Sequence, residues 1–590
     1  MSARTNVADR LAAVAAQMSD ATAVVSARGG RYRTCTFREL NDDATALARG
    51  LADRGVKPGD RLVLLVKPGI EFVKLVFALL RSGATAVLVD PGMGRRHLVN
   101  CLAATNPDGF IAVSPAQAVR TLLRRRFPNA RMNVTVGRRW FWGGAAYPKL
   151  LRQGRSSHAE LPLTEADGAA AIIFTSGSTG PPKGVLYTHR MFDTQASEIQ
   201  RAYQLGPGGV DLACFALFGL FNSVWGVTTV FPEMDFSRPA SADPAKLLAV
   251  AKDWQVTQAF ASPAVWDKLS RHCQRTSERI STLRKVFSCG APVPSSVLER
   301  TLAMVHPEAE MHTPYGATEA LPIATIAARE VLSETAAKTS DGAGVCVGRR
   351  FDTIDWRVVR ISDEPIATID DVEELPAGEI GELIVRGPQV SPRYVNPGWT
   401  GRLSDPSVVG GTANWAGADA NAHSKVGDAA TVWHRMGDVG YLDDQGRFWY
   451  CGRKSQRVRT AEGDLFTECV EAVFNRHPRV RRCALVGVGP RCDVPAIVYE
   501  TASPRASDAA ASPDAVHTTP QLAETIPQEL VALAAQRALT SGIETFLRHP
   551  ELPVDVRHNS KINREQLAAW AAEQLTQQPG GCHLGSASGG

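Results

Sequence analysis

A glycine- and hydroxyl-rich stretch with one lysine lies between two apolar segments and could hold a polyphosphate. It runs from Ile172 to Val185 and reads IIFTSGSTGPPKGV. Glycine lets backbone N–H groups approach an anion, Ser and Thr add side-chain donors, and Lys183 supplies a positive charge. A β-branched residue follows soon after Lys183, so the chain continues as a strand, whereas the common NTPase loop opens into a helix. The spacing predicts a phosphate-binding loop between two strands; the alternative is a flexible turn.

The stretch Thr175–Gly184 resembles the signature loop of the adenylate-forming superfamily, which includes acyl-CoA synthetases, peptide-synthetase adenylation domains and firefly-type luciferases. The resemblance implies that ATP and Mg²⁺ convert a carboxylate into an acyl-adenylate, with release of pyrophosphate. It also implies that the loop binds the nucleotide through Thr175, Ser176, Gly177, Ser178, Thr179, Gly180 and Lys183.

The segment HTPYGATE at 312–319 resembles the Y-G-x-T-E element of the same superfamily. The resemblance places Tyr315 and Gly316 against the adenine and Thr318 at a phosphate. It makes Glu319, together with Thr175, the candidate for Mg²⁺, which prefers carboxylate and phosphate oxygens. A strand-to-helix turn is expected to lie against the adenine through Gly290, Ala291 and Pro292. Taken alone, these would be a solvated loop acid and an ordinary turn.

Three later motifs continue the resemblance in the same order. RMGDVG is similar to the family's R-T-G-D, in which Asp438 accepts hydrogen bonds from both ribose hydroxyls. GRKS resembles the hinge before a mobile lid, with Arg453 reaching the nucleotide and Lys454 or Ser455 as the pivot. HNSKINR is similar to N-G-K-x-x-R, with Ser560 in place of Gly. The resemblance implies catalytic roles for Lys561, Glu319, Thr318 and Lys183, with Lys561 binding the carboxylate and the α-phosphate.

Less common stretches resemble the β-lactone synthetases of long-chain olefin biosynthesis. They include FGLFN at 218–222, PEMD at 232–235, GAGVCVG at 342–348 and the GRKS and HNSKIN motifs. In that group the 3-hydroxyl of an adenylated 2-alkyl-3-hydroxy fatty acid displaces AMP and closes a four-membered lactone. Gly219 stands where CoA-forming relatives typically carry a histidine. The substrate pocket is therefore predicted at Phe218, Gly219, Phe221 and Asn222, although core packing explains at least half of the apolar side chains there.

Two alternatives to β-lactone synthesis remain. One is a long-chain fatty acyl-CoA or acyl-carrier-protein ligase, and only this reading requires CoA. The other, from a different class, is a non-catalytic nucleotide- or lipid-binding relative. Lys183, Glu319, Asp438, Arg453 and Lys561 are all present and argue against the second alternative.

The pattern of the chain predicts an α/β protein whose large N-terminal domain has mostly parallel sheets with helices on both faces. A cap at Thr36 opens a helix, and a strand near 61–66, a helix near 70–81 and a strand near 86–89 follow. We expect an AMP-binding domain at 1–452 and a small mobile α+β lid at 453–577. Low-complexity residues at 501–525, a surface insertion at 398–432 and a disordered tail at 578–590 complete the prediction.

Composition excludes several classes of function. The chain has 590 residues, 44% of them hydrophobic and 21% charged, with a net charge of +5, which is too small to argue for nucleic acid. Its 11 cysteines include no C-x-x-C pair, and the N-terminus lacks the apolar core of a signal peptide, so a reduced, cytoplasmic protein is expected. The uncharged stretch at 212–231 is expected to be a buried strand and helix, not a membrane span.

Arginine is concentrated between residues 120 and 139, just before Trp140-Phe141-Trp142. The sharper hypothesis is a contact with a membrane surface or with an anionic pathway protein. The simpler one, which we favour from sequence alone, is a solvated helix and loop with arginine stems lying along the surface. The other predicted partner is a carboxylic acid with long apolar chains; the sequence leaves the oligomeric state open.

Overall fold

The computed structural model describes residues 5–89, 93–175, 183–395, 416–427, 432–501, 525–554 and 562–577. The predicted nucleotide contacts Ser176, Gly177, Ser178, Thr179 and Gly180 therefore lie outside the described residues, as does Lys561. The predicted low-complexity segment lies almost entirely outside them, and the predicted tail wholly so. The long helices are α1 (Val7–Gln17), α2 (Phe37–Ala52), α3 (Ile70–Ser82), α4 (Arg95–Ala104), α5 (Ser114–Leu122), α6 (Tyr147–Arg155), α7 (His189–Tyr203), α8 (Phe218–Trp225), α9 (Pro244–Asp253), α10 (Pro263–Thr276) and α11 (Ser295–Met304).

Short and late helices complete the set. They are α12 (Ala328–Glu330), α13 (Ala336–Lys338), α14 (Ala416–Ser424), α15 (Thr467–Phe474), α16 (Ile526–Ala534) and α17 (Arg564–Gln577). The predicted helix start at Thr36 is confirmed, because its hydroxyl accepts from the Glu39 N–H while the Glu39 carboxylate accepts from the Thr36 N–H.

Two of the three large sheets are mostly parallel, as predicted. The first runs β20-β9-β8-β4-β3-β5-β6-β7 and the second β14-β13-β12-β10-β11-β1-β2. The first sheet contains β3 (Arg61–Leu65), β4 (Thr85–Val89), β5 (Gly109–Val113), β6 (Met132–Val136), β7 (Ala145–Ala146), β8 (Ala169–Thr175), β9 (Lys183–Thr188) and β20 (Tyr394–Val395). The second contains β1 (Thr22–Arg28), β2 (Arg31–Thr36), β10 (Val210–Ala213), β11 (Thr228–Phe231), β12 (Gln258–Ala261), β13 (Lys285–Ser288) and β14 (Glu310–His312).

The third large sheet is antiparallel throughout, which the sequence did not indicate. Its order is β15-β16-β17-β23-β22-β19-β18, with β21 paired to β22. It contains β15 (Tyr315–Ala317), β16 (Ala320–Thr325), β17 (Val345–Arg350), β18 (Asp355–Val359), β19 (Gly381–Arg386), β21 (Lys425–Val426), β22 (Trp433–Leu442) and β23 (Phe448–Arg453). Short connections such as the turn between β22 and β23 permit antiparallel pairing without a crossover helix.

The remaining strands all lie within 453–577, the predicted lid. Strands β24 (Val458–Thr460) and β25 (Gly463–Leu465) form a hairpin, and β26 (Val480–Val488), β27 (Val494–Thr501) and β28 (Thr545–Arg548) form a three-stranded sheet. The sheet packs on α15–α17 through its own apolar clusters. This composition is the α+β arrangement expected for the region.

The uncharged stretch at 212–231 folds as β10, α8 and β11, as predicted. Within the described part of the chain, no helix combines the length and the apolar character needed to cross a bilayer.

The prediction of a surface insertion at 398–432 is wrong for residues 416–427. This part forms α14 and β21, and β21 pairs with β22 through Lys425–His434 and Val426–Trp433. Val426 is fully buried. These residues show no periodicity because a two-residue strand and a short helix of small residues are too short to establish one.

Candidate active site

The predicted phosphate loop leaves β8 and re-enters the same sheet on β9, as the sequence indicated. Thr175 and Lys183 are paired across the two antiparallel strands, so seven residues close the loop between them. Lys183 then lies at the carboxyl edge of the parallel strands β8, β4, β3, β5 and β6, which is where α/β sheets bind ligands.

One cavity of about 2800 Å³ brings together most of the predicted site residues. Its polar end is lined by Lys183, Gly290, Ala291, Pro292, Tyr315, Gly316, Thr318, Glu319, Asp438, Arg453, Lys454 and Ser455. These residues come from β9, from the loop after β13, from the β15–β16 region and from β22 and β23. The packing of the three sheets thus brings together residues that are more than 250 positions apart in the sequence.

Tyr315, Asp438 and Arg453 form a connected group at this end. Asp438 and Arg453 are directly opposite on β22 and β23, and Arg453 Nε lies 3.0 Å from Asp438 Oδ1. The Tyr315 hydroxyl donates a hydrogen bond to Asp438 Oδ2. Burial, and then the nearby Asp438 carboxylate, raise the pKa of Tyr315, which therefore stays a neutral donor. The group fixes the carboxylate that is predicted to hold the ribose.

Glu319 is oriented by Tyr394, whose hydroxyl donates to Glu319 Oε1 over 2.7 Å. Tyr187 in turn donates to the Thr318 carbonyl over 2.6 Å and holds the preceding residue in place. The carboxylate thus lines the cavity from a braced position and offers hard oxygen donors. Such a donor fits Mg²⁺ that also takes phosphate oxygens.

Tyr394 is itself held by contacts with its backbone and its ring, and the sequence did not indicate this role. Its backbone N–H donates to Asn421 Oδ1 over 2.8 Å, and Asn421 Nδ2 donates to the Tyr394 carbonyl over 3.1 Å. Lys183 Nζ lies 5.1 Å from the ring centroid and Lys425 Nζ 5.6 Å from it, distances typical of cation–π contacts. Asn421 and Lys425 lie in the segment predicted to be a surface insertion. Their contacts with Tyr394 join residues that are distant in the sequence, so no local motif indicates them.

Lys425 is a second buried cation, and it lies behind the polar end of the cavity. Its Nζ donates to the Ser391 carbonyl over 2.6 Å. Burial lowers the pKa of Lys425 to about 7, against an opposing effect of the Glu319 carboxylate. The neighbouring His434 donates its Nδ1–H to the Ser424 carbonyl over 2.9 Å, and burial holds the pKa of His434 well below the usual range. We call Asn421 and Lys425 the Tyr394 clamp.

The other end of the cavity is apolar and aromatic. Phe215, Leu217, Phe218, Leu220, Phe221, Trp225 and Phe260 line it. Phe218 stacks on Phe260 with ring centroids 4.1 Å apart. Asn222 also lines the cavity, but it is buried and donates to Asp211 Oδ2 over 2.8 Å, so its amide is already engaged. Burial raises the pKa of Asp211 to about 7.

Gly219 is not among the residues that line the cavity, and its place in the substrate pocket stays a prediction. A Cβ built on Gly219 would lie 3.1 Å from Thr229, 3.2 Å from Ala213 and 3.3 Å from Phe231. The glycine is on the face of α8 that packs against β10 and β11. It is there because the helix approaches the sheet too closely for a side chain.

The predicted pivot is tied to the third sheet. Lys454 Nζ lies 3.0 Å from Glu382 Oε2 and donates to the Ser362 carbonyl over 2.8 Å. Glu382 also pairs with Arg435, and both side chains are only 1% exposed. Ser455 follows in a single 3₁₀ turn.

Residues on either side of Lys561 face the same cavity. Val554 and Ile562 form an isolated bridge, and both line the cavity together with Pro553, Asn563 and Arg564. Arg564 is fixed by Glu471 and by the Leu485 carbonyl, the latter at 3.0 Å. The described residues on both sides of Lys561 thus lie at the cavity wall.

Comparison with known proteins bears on this arrangement. A family model described as AMP-binding enzyme matches residues 11–395. The chain is 43% identical over 543 residues to the olefin β-lactone synthetase of Xanthomonas campestris pv. campestris, covering 92% of this chain and 91% of the relative. It is 42% identical over 547 residues to the olefin β-lactone synthetase of Stenotrophomonas maltophilia, covering 92% of each chain.

Among solved structures, an anthranilate CoA ligase in complex with anthranoyl-AMP superposes with a TM-score of 0.73. The match covers 97% of this chain and 98% of the other at 18% identity. At that identity the similarity concerns the fold.

Proposed function

The chain belongs to the AMP-binding enzyme family, and on that premise we propose that it activates a long-chain carboxylic acid as an acyl-adenylate and then closes a β-lactone. The substrate is a 2-alkyl-3-hydroxy fatty acid, and the products are pyrophosphate, AMP and the lactone. The observation that carries the proposal is the similarity to two olefin β-lactone synthetases over 92% of the chain. The cavity supports it physically, because one space joins a charged end to an aromatic end.

In the first step a carboxylate oxygen attacks the α-phosphorus of ATP, and the bond to the bridging oxygen of the β-phosphate breaks. Both reactants are anions, so cations must offset their repulsion where charge develops. Lys183 and Arg453 line the polar end of the cavity, and Lys561 is proposed to join them. Glu319 would hold Mg²⁺, which neutralises phosphate charge when bound. Asp438, held by Tyr315 and Arg453, would accept from the ribose hydroxyls.

In the second step the substrate's 3-hydroxyl oxygen attacks the acyl carbon. The bond from that carbon to the AMP oxygen breaks, and the hydroxyl proton is released. Because the nucleophile belongs to the same molecule, its effective molarity can reach about 10⁵–10⁸ M in favourable cases. This gain helps to offset the strain of the four-membered ring. The aromatic end of the cavity offers apolar surface for the two alkyl chains, and CoA has no part in this route.

The domain limits at 1–452 and 453–577 are part of the same proposal. Lys454, the second residue of the smaller unit, is bonded to Glu382 of the larger one. A pivot at Lys454 or Ser455 would let the segment around Lys561 leave the cavity after adenylation.

The test is ATP–pyrophosphate exchange and AMP release with a racemic 2-alkyl-3-hydroxy fatty acid and with the matching acid that lacks the hydroxyl. We expect exchange with both acids, but multiple-turnover AMP release and a product lighter by one water only with the hydroxy acid, without added CoA. If turnover of the hydroxy acid needs CoA and the product is a thioester, the β-lactone proposal is wrong and the acyl-CoA ligase alternative holds. If neither acid supports exchange, the adenylation proposal fails as well.

A further inference from the structure

Positive charge is concentrated in one stretch of the first sheet. Residues 109–159 contain ten Lys or Arg side chains and no Asp or Glu, whereas the whole chain carries a net charge of only +5. The other residues together therefore carry −5. Arg155 pairs with Asp43 of α2, which leaves nine cations outside that pair. They are Arg120, Arg124, Arg125, Arg126, Arg131, Arg138, Arg139, Lys149 and Arg152.

The same stretch exposes large apolar side chains. Phe141 is 85% exposed, Leu122 83% and Trp140 55%. Together with Val119, they are four of the eight strongly exposed large apolar side chains in the described part of the chain. Scattered exposed apolar residues need no explanation, but half of them within 23 residues do.

Trp140 and Phe141 are presented by a supported loop. Trp142 is buried, its Nε1 donates to Thr135 Oγ1 over 3.1 Å, and its ring stacks on Trp140 with centroids 6.3 Å apart. The Arg138 guanidinium lies 5.3 Å from the Trp140 ring centroid. Trp140 thus packs on the ring of the buried Trp142 and lies beside the Arg138 guanidinium.

Helix α5 connects the two exposed apolar groups. The Ser114 hydroxyl, at its first residue, donates to the Arg138 carbonyl over 2.5 Å and ties the loop to this end. Leu122 is its last residue, about 13 Å away for nine residues at 1.5 Å each. The exposed Arg124 and Arg125 follow directly. We call α5, residues 124–126 and the loop 138–141 the basic aromatic face.

The cavity reaches this face. Its lining includes Val113 at the end of β5, Ala116 in the first turn of α5 and Val136 at the end of β6. Val136 is two residues from Arg138, whose carbonyl is bonded to the start of α5. The cavity therefore follows the carboxyl edge of the sheet from Lys183 to the base of the exposed loop.

We propose that the basic aromatic face docks the protein on the surface of an anionic lipid bilayer, next to the part of the cavity that Val113, Ala116 and Val136 line. Arginine is drawn to anionic headgroups, and Trp, Phe and Leu side chains enter the boundary between headgroups and acyl chains. An acidic protein would match the charge, whereas exposed aromatic side chains beside arginines match the boundary between headgroups and acyl chains. The reason for docking, access to a lipid-like acid, rests on the proposed function; the docking itself does not.

The experiment is vesicle flotation of the full chain with phosphatidylcholine alone and with 30% phosphatidylglycerol added. We expect at least tenfold more bound protein on the anionic vesicles, and most of that binding to be lost in 0.5 M NaCl. Trp140→Ser with Phe141→Ser, and separately Arg124→Gln with Arg125→Gln, should each reduce the bound fraction at least fivefold. Matched controls outside the face, Val531→Ser and Arg491→Gln, should bind as wild type does.

Absence of wild-type binding to anionic vesicles overturns the proposal, as does wild-type binding by both double variants. Binding to polyglutamate without binding to vesicles would instead identify an acidic protein as the partner and also overturn it. The assay needs no catalysis, so a protein that floats but does not adenylate refutes the proposed function and leaves the docking surface intact.

Discussion

At the scale of single residues, the polar end of the cavity depends on side chains that do not face the substrate. Glu319 takes its orientation from Tyr394, and Tyr394 takes its own from the Tyr394 clamp, Asn421 and Lys425. A carboxylate that is proposed to hold Mg²⁺ gains from such bracing, because catalytic geometry tolerates only small displacements. Asn421 and Lys425 are therefore positioning residues.

Asn421→Ala removes both hydrogen bonds to the Tyr394 backbone and should lower the rate of ATP–pyrophosphate exchange about tenfold, since each factor of ten corresponds to about 1.4 kcal/mol. The Mg²⁺ concentration for half-maximal exchange should rise severalfold, while the KM for the acid changes little. Lys425→Met should act in the same direction. The added affinity that Mg²⁺ gives a non-hydrolysable ATP analogue, measured by calorimetry, should fall in parallel.

Asn129→Ala and Lys252→Met are matched controls, because both side chains are bonded at exposed sites far from Tyr394 in the fold. If the clamp variants lose exchange activity with an unchanged Mg²⁺ dependence, the clamp does not act through Glu319.

Lys561→Ala should largely abolish exchange and leave the affinity for ATP measurable, because a cation that meets both the carboxylate and the α-phosphate acts most strongly as charge develops. Equilibrium binding of ATP and single-turnover formation of pyrophosphate separate the two effects. Lys252→Ala serves as the control, and unchanged pyrophosphate release from Lys561→Ala would refute the assignment.

At the scale of elements, helix α8 and strand β10 set the apolar end of the cavity. Gly219 lets α8 approach β10 and β11, and Asn222 ties the helix to Asp211 of β10. The cavity-facing side of α8 carries Phe218 and Phe221, while a Cβ at Gly219 would lie within 3.3 Å of Thr229, Ala213 and Phe231. The glycine thus has a packing role.

Gly219→His should lower the free energy of unfolding by about 1–3 kcal/mol, the usual cost of overpacking, and should not introduce CoA-dependent turnover. Urea unfolding measures the first effect and thioester formation the second. Gly206→His is the control, since a Cβ there meets no atom within 4 Å. A stable Gly219→His protein that forms thioesters would contradict the packing role.

Asp211 should make stability depend on pH. Its folded-state pKa of about 7 exceeds the ordinary value of 3.8, so between these values the folded state binds more protons than the unfolded state. Stability therefore falls as pH rises through this window, by an amount on the order of a few kcal/mol. Asp211→Asn cannot ionise and should gain stability relative to wild type between pH 5 and pH 8 in urea unfolding. A constant difference across that range would show that Asp211 is ionised throughout.

At the scale of the whole molecule, a buried ion group joins the third sheet to the start of the predicted lid. Glu382 of β19 forms ion pairs with Arg435 of β22 and with Lys454, and the side chains of Glu382 and Arg435 are only 1% exposed. Burial also lowers the pKa of Lys454, which Glu382 opposes. One carboxylate thus pairs with two cations at the point where the chain is predicted to pivot.

Glu382→Gln leaves Arg435 and Lys454 close together without a counter-charge, and breaking a buried pair typically costs about 3–5 kcal/mol. We expect a loss of that order in urea unfolding. Glu373→Gln, which breaks the exposed pair with Arg360, should have a much smaller effect, because solvent screens exposed pairs. Equal effects of the two substitutions would show that the buried group contributes no more than a surface pair.

The sequence by itself determined the local elements and the order of the nucleotide motifs. The capped start of α2, the loop between β8 and β9 and the strand–turn–helix at Gly290 follow from neighbouring residues, so their signals are short-range. The AMP-binding assignment followed for the same reason, because each motif is a contiguous run.

Only the tertiary structure decided which face of α8 meets the cavity, that residues 416–427 brace Tyr394, and that the cavity runs to the loop at 138–141. Each depends on contacts between residues that are distant in the sequence. Asn421 is bonded to Tyr394 although residues outside the described part separate them in the sequence. Gly219 lies close to Thr229 because α8 packs on the sheet. Residue type and spacing carry no signal for such contacts, because close approach in space is fixed by how the three sheets pack and not by any one of them.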